Sequence, residues 1–204
     1  VVKEDQMQVL VLNGSPKGEL SVTLQYIRFI ENRFRAYSFK YLHIAKRIKQ
    51  LAQDSAAFAE ALADARSADL ILWATPVYYW LVPGQLKQFI ELVNERRETR
   101  AFAGRYAAAI TTSIHFYDHT AHNYLAGICE DWGMRYYGGH SAEMMDLLSP
   151  RGQKQLQDFA QGLLAAVETG APTAVANAEV IRCQWTYTPG TAAAPLDQGD
   201  RRIV

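Results

Sequence analysis

The chain has 204 residues, 49% of them apolar and 21% charged, a balance that excludes a disordered chain, a collagen-like chain and a coiled coil. Its 21 basic residues equal its 21 acidic ones, so it lacks the basic excess of a general nucleic-acid or membrane-surface binder. Two distant cysteines, Cys129 and Cys183, form no CxxC pair and no zinc or iron–sulfur framework, and free thiols are expected.

The N-terminal residues Val1 to Gln6 carry no apolar secretory core, and no stretch approaches the ~20 apolar residues of a membrane span. A cytoplasmic location is the expectation. The opening Val, in place of Met, fits a trimmed or recombinant fragment.

Met7 to Leu12 reads as a short buried strand, stopped by Asn13-Gly14-Ser15-Pro16. A helix follows, with Leu24, Ile27, Ile30 and Phe34 at helical spacing and Ser21 or Thr23 as N-cap. A weaker strand is expected over Tyr37 to Leu42. Ile44 to Asp54 fits either a helix or a solvated connector, because three basic residues interrupt Ile44, Ile48 and Leu51. Phe58, Leu62 and Ala65 mark the next helix. Asp69 to Ala74 has no alternation, as in a strand buried on both faces. Pro83 stands at an expected first helical position, ahead of the stripe Leu86, Phe89, Ile90 and Val93.

Tyr106 to Thr112 is another buried strand, His119 to Trp132 a helix stopped by Gly133, and Met134 to His140 a fifth strand weakened by Gly138-Gly139. Pro150 to Glu168 closes the series as a helix. Strands alternating with helices imply a parallel sheet covered on both faces. Five such units over residues 7–170 predict an α/β three-layer, flavodoxin-like fold with strand order 2-1-3-4-5. Residues 171–204 differ, being rich in Ala, Thr and Pro with one strand-like piece, Glu179 to Tyr187. They are expected to form an arm or a linker.

In such a sheet the ligand belongs at the carboxyl ends of the strands, where strand order reverses. The turn after the first strand offers Gly14 and Gly18, the hydroxyls of Ser15, Ser21 and Thr23, and the start of a helix. It matches neither GxxxxGK[ST] nor GxGxxG. An anion site and an ordinary capped turn both fit it. The turn after the third strand runs Thr75-Pro76-Val77-Tyr78-Tyr79-Trp80-Leu81-Val82-Pro83. Its aromatic residues need something to pack on: a flat ligand, a partner subunit or the protein's own interior.

Gly14-Ser15-Pro16-Lys17-Gly18 with Ser21 and Thr23, and Thr75 to Glu91, together resemble the NADPH-dependent FMN reductase group of flavodoxin-like proteins. That group includes iron–sulfur flavoproteins and NAD(P)H:quinone-type reductases. The resemblance extends by element order over residues 7–168. It implies bound FMN, with the phosphate on Ser15, Lys17, Ser21, Val22 and Thr23. The isoalloxazine would lie along Pro76, Val77, Tyr78, Tyr79 and Trp80, with Thr112, Ser113, Ile114 and His115 closing its other side. It further implies NAD(P)H as hydride donor, a small-molecule acceptor and no catalytic side chain. Two rival readings are an electron-transfer module of a larger redox protein and a non-catalytic binding protein of the same fold. A homo-oligomer, most simply a dimer, would cover the aromatic loop.

Two features depart from that group. Tyr41 to Asp54 holds no cysteine, so no iron–sulfur cluster is expected, and the turn after the fourth strand is not glycine-rich. In that turn His115, Asp118, His119 and His122 have a spacing that would also suit a metal, although a polar rim is the simpler reading. Arg96, Arg97, Arg100 and Arg105 are candidate contacts for a cofactor phosphate, with a solvated helix end the simpler reading. Trp132, Tyr136 and Tyr137 read as core or subunit contacts.

Overall fold

The computed structural model describes residues 6–114 and 118–177, together with Thr186, Thr188 and Gly190. His115, Cys183 and the strand-like piece in the tail, apart from Thr186, fall outside the described residues. Five strands form the sheet: β1 (Gln8–Asn13), β2 (Ser38–Leu42), β3 (Leu70–Pro76), β4 (Tyr106–Ser113) and β5 (Arg135–Glu143). They are all parallel, in the order β2-β1-β3-β4-β5. The predicted flavodoxin-like arrangement is the observed one.

Among the described residues six α-helices cover the sheet: α1 (Val22–Arg33), α2 (Ile44–Gln53), α3 (Ser55–Ser67), α4 (Gly84–Glu95), α5 (Asp118–Asp131) and α6 (Pro150–Thr169). The alternating faces of the strands build two cores. Leu10, Leu12, Ile71, Trp73 and Ala109 pack with α2, α3, α4 and α5. Val9, Val11, Leu72, Ala108 and Ile110 pack with α1 and α6. Each fully buried aliphatic side chain contributes about 1.5–3 kcal/mol relative to exposure.

The ambiguous segment 44–54 is a helix. Ile44, Ile48 and Leu51 are buried, while Lys46, Arg47 and Lys49 lie on the outer turns. Asp54 separates α2 from α3 and caps the latter, accepting from the amides of Ala56 at 2.9 Å and Ala57 at 3.2 Å. Pro83 is the N-cap of α4, one position before the helix proper. β5 continues to Glu143, past the two glycines that were expected to weaken it. A bulge explains the difference: Ala107 faces Tyr136 and Ala108 faces Gly138, so the pairing skips Tyr137 and resumes.

Trp132 lies in the core against Trp73 and Phe102, with its indole N–H donating to Asn94 Oδ1 at 3.1 Å. Cys129 is a buried free thiol whose pKa burial pushes up. Arg96 donates to the carbonyl of Ala52 at 2.6 Å and stacks on Phe58, and Arg105 donates to the carbonyl of Arg66. These two arginines brace neighbouring elements, and neither lines the cleft described below. Beyond α6, Tyr106 donates to the carbonyl of Ala171 at 2.5 Å, and the Glu130 carboxylate accepts from the amides of Ala176 and Asn177. No helix among the described residues is long and apolar enough to cross a membrane.

Candidate functional site

Strand order reverses between β1 and β3, so their carboxyl ends diverge into a crevice. A cleft of about 290 Å³ opens there. It is lined by Ser15, Lys17, Ser21, Val22 and Thr23, by Pro76, Val77 and Tyr78, and by Thr112, Ser113, Ile114 and Met144.

The bend after β1 is built from the backbone outward. Asn13 is fully buried and its Oδ1 accepts from the Ser15 amide at 3.0 Å. Its amide nitrogen lies 3.0 Å from His43 Nδ1, which fixes that nitrogen as an acceptor and leaves the proton on Nε2, 2.7 Å from Glu19 Oε1. The Gly14 amide donates to the Ala74 carbonyl at 2.9 Å. A Cβ on Gly14 would come within 2.6 Å of the Leu86 side chain, so only glycine lets the bend sit this close to α4. Gly18 takes φ +56°, a left-handed conformation that glycine adopts without strain.

Ser21 is the N-cap of α1, yet its hydroxyl makes no capping hydrogen bond. Ser15, Ser21 and Thr23 are all buried. The first turn of α1 carries no acidic residue. The start of this 12-residue helix therefore presents free amides and a positive dipole end to the cleft, with the Lys17 side chain at its border. Thr23 Oγ1 lies 2.5 Å from Thr112 Oγ1, which ties the start of α1 to the end of β4.

The loop after β3 makes a tight turn. The Tyr78 amide donates to the Leu81 carbonyl at 2.7 Å, and the Leu81 amide returns to Tyr78 at 3.2 Å. Tyr79 and Trp80 occupy its centre with φ +45° and +71°. Two successive positive φ values make a I′-like turn, a geometry that favours Asn-Gly and strains aromatic residues. The Thr120 hydroxyl of α5 donates to the Trp80 carbonyl and helps hold it. Tyr79 is fully exposed and Trp80 is 56% exposed. Neither is among the residues lining the cleft, whereas Tyr78 is.

One residue lining the cleft was not foreseen there. Met144 follows β5, and it was missed because β5 was expected to fade at Gly138-Gly139. The Tyr26 hydroxyl of α1 holds this corner, donating to the Glu143 carbonyl at 2.5 Å and accepting from the Leu147 amide at 3.3 Å. Ile114, expected in the turn that closes the ring's other side, does line the cleft beside Ser113, with its side chain largely exposed.

The histidines of the fourth turn separate. His122 points inward, its Nε2 3.0 Å from Thr111 Oγ1 and 2.9 Å from Ser141 Oγ. A Cβ on Gly139 would overlap the His122 ring, so that glycine makes room for it. Burial lowers the His122 pKa against the opposing pull of Asp118. Asp118 Oδ2 accepts from the Thr111 hydroxyl at 3.2 Å. Among the described residues no group of His, Cys, Asp and Glu is placed to hold a metal ion.

An open 2-1-3-4-5 parallel sheet, with a helix start and an aromatic turn meeting at the reversal, defines the flavodoxin-like class. Residues 7–144 match the model of the NADPH-dependent FMN reductases, and the chain belongs to that family. No curated protein sequence matches the chain. Among solved structures, an NADH:FMN oxidoreductase in its apo form aligns with a TM-score of 0.67 and 19% identity, over 79% of this chain and 90% of that one. An NAD(P)H:acceptor oxidoreductase from Paracoccus denitrificans aligns with a TM-score of 0.64 and 19% identity, over 80% and 98%. An FMN-dependent NADH-azoreductase from Bacillus anthracis, solved with FMN, gives 0.57 and 15%, over 78% and 99%. At these identities the likeness is one of fold.

Proposed function

We propose that the chain is an NAD(P)H oxidoreductase that holds FMN in this cleft and passes electrons to a flavin, a quinone or another small acceptor. The observation that carries the reading is the unsatisfied start of α1. A buried N-cap serine without its capping bond, flanked by two more buried hydroxyls and no acid, is a poor helix start until an anion arrives.

The residues fit the phosphate and the ring separately. Ser15, Lys17, Ser21 and Thr23, with the amides of Val22 and Thr23, would hold the phosphate. Pro76, Val77 and Tyr78 would lie along one side of the ring, with Thr112 and Ser113 at its other side. When bound, FMN supplies the two-electron chemistry between NAD(P)H and the acceptor. The protein's share is positioning and exclusion of water. The Thr23–Thr112 hydrogen bond keeps the phosphate bend and the end of β4 at a fixed separation. The Tyr78 to Leu81 turn stiffens the aromatic wall, and Ser113 would offer a hydroxyl to charge gathered at the ring's edge. The exposed Tyr79 and Trp80 side chains support a homodimer whose second copy covers that wall.

The test is spectroscopic. Protein incubated with FMN and passed through a desalting column should keep a flavin spectrum, and NADPH should bleach it without oxygen. Protein that emerges colourless would overturn the flavin assignment. Retained flavin that NADPH does not bleach would instead mark an electron-transfer module.

A further inference from the structure

The bend that forms the proposed phosphate site is held by a side chain within it. The Asn13 carboxamide accepts from the Ser15 amide at 3.0 Å and, from its other end, donates to the Gly18 carbonyl at 3.4 Å. One group thus spans the turn from Ser15 to Gly18. The Gly18 carbonyl also accepts from the Ser21 amide at 3.0 Å, so the span reaches the N-cap of α1 through one further bond. A flipped carboxamide would set donor against donor at Ser15 and acceptor against acceptor at Gly18. The bend therefore needs Asn13 in one orientation.

His43 supplies that orientation. Register pairs Leu12 of β1 with Leu42 of β2, so Asn13 and His43 are the next residues along two adjacent parallel strands. Nδ1 of His43 accepts the second N–H of Asn13 at 3.0 Å. Two contacts hold the ring to this task. Its Nε2 lies 2.7 Å from Glu19 Oε1, and Glu19 is itself paired with Arg28 of α1. The Tyr41 ring lies nearly parallel to it, with centroids 6.4 Å apart. His43 stands at the N-cap position of α2, yet its side chain makes no capping bond there. The ring is therefore committed to the bend rather than to the helix it precedes. Asn13 is fully buried and the His43 side chain is 25% exposed, so water is a poor replacement for the Nδ1 acceptor.

We infer that His43 is a positioning residue for the phosphate end of the cofactor. It does not line the cleft. It acts through Asn13, whose orientation places the Ser15 hydroxyl and the start of α1. The inference rests on the flavin reading of the cleft, and it brings β2, which contributes no lining residue, into the site.

Two variants isolate the link. His43→Asn puts a carboxamide oxygen where Nδ1 stood but is too short to reach Glu19. His43→Leu fills similar space and offers no acceptor. Both lose Glu19, so the difference between them reports the bond to Asn13. FMN and riboflavin affinities are read by fluorescence titration, and thermal melts of the flavin-free proteins check the fold. His43→Leu should bind FMN about tenfold less tightly, the size of one buried hydrogen bond left unmade, with riboflavin affinity unchanged. His43→Asn should stay within about twofold of the parent for both flavins. A merely structural role would weaken both flavins together. A parent that binds FMN no better than riboflavin ends the phosphate reading itself. If the parent prefers FMN, the role of His43 is wrong should His43→Leu keep that preference, should both flavins weaken alike, or should His43→Asn fail to restore FMN binding.

Discussion

Ser21 concentrates the argument about the site into one side chain. It ends an extended residue, φ −67° and ψ 131°, in the right backbone geometry for a cap, but its hydroxyl leaves the helix amides unclaimed. Replacing it with Asp should therefore do two opposite things. The carboxylate would cap α1 and favour its dipole, adding about 0.5–1 kcal/mol. For a chain of this length that is roughly 1–4 °C in Tm of the flavin-free protein. The same charge would repel a phosphate at this position and weaken FMN binding by more than about a hundredfold. Thermal melts and fluorescence titration read the two effects independently. Loss of stability together with unchanged FMN affinity would remove the phosphate from α1. The hydroxyls here were visible in the sequence because Ser, Thr and Gly cluster between a strand and a helix. The conformations of Tyr79 and Trp80 were not visible, since nothing about two aromatic residues announces a turn that favours Asn-Gly.

At the level of elements, the packing of α5 and α6 on β5 is expected to weaken as pH falls, through His122 and His140. Burial lowers the pKa of His122, partly opposed by Asp118 and reinforced by His140. Burial also lowers that of His140, partly opposed by Asp146. Both rings are thus held neutral in the fold and gain a proton more readily when unfolded. Unfolded chains begin to bind these protons as pH falls through about 6.5, before the folded ones do, so stability declines from there until the lower folded values are passed. Urea midpoints measured between pH 7.5 and 5 should fall, and His122→Gln should flatten part of the slope. A midpoint that rises on acidification in that window would contradict the burial argument. The element boundaries show where sequence patterns carry and where they stop. The strand–helix alternation was readable because buried parallel strands are unbroken apolar runs. The helical state of 44–54 was left open by its outward-facing basic residues, whereas Asp54 ahead of Ser55 was a legible cap for the helix that follows. The length of β5 was masked by a bulge, which a lone sequence cannot distinguish from a strand end.

In the whole molecule, the cleft gathers residues from four separate places in the chain: the bend after β1, the turn after β3, the end of β4 and the corner after β5. None of these is completed by its own element. The start of α1 lacks a cap, the turn after β3 exposes aromatic rings, and Met144 depends on Tyr26 from across the fold. Sequence reasoning could place the first two, because each is local, but not the last, which depends on tertiary packing. A ligand that touches all four acts as a cross-link on the folded state alone. FMN at a hundredfold excess over its Kd should add about 2.7 kcal/mol of stability by mass action. In a chain of this size that corresponds to roughly 5–10 °C in Tm. Riboflavin, which keeps the ring but lacks the phosphate, should give a smaller shift at equal concentration, and Thr23→Val should bring the two shifts closer together. Equal shifts from both compounds in the parent protein would mean that the ring alone is recognised, and that the uncapped start of α1 serves some other purpose.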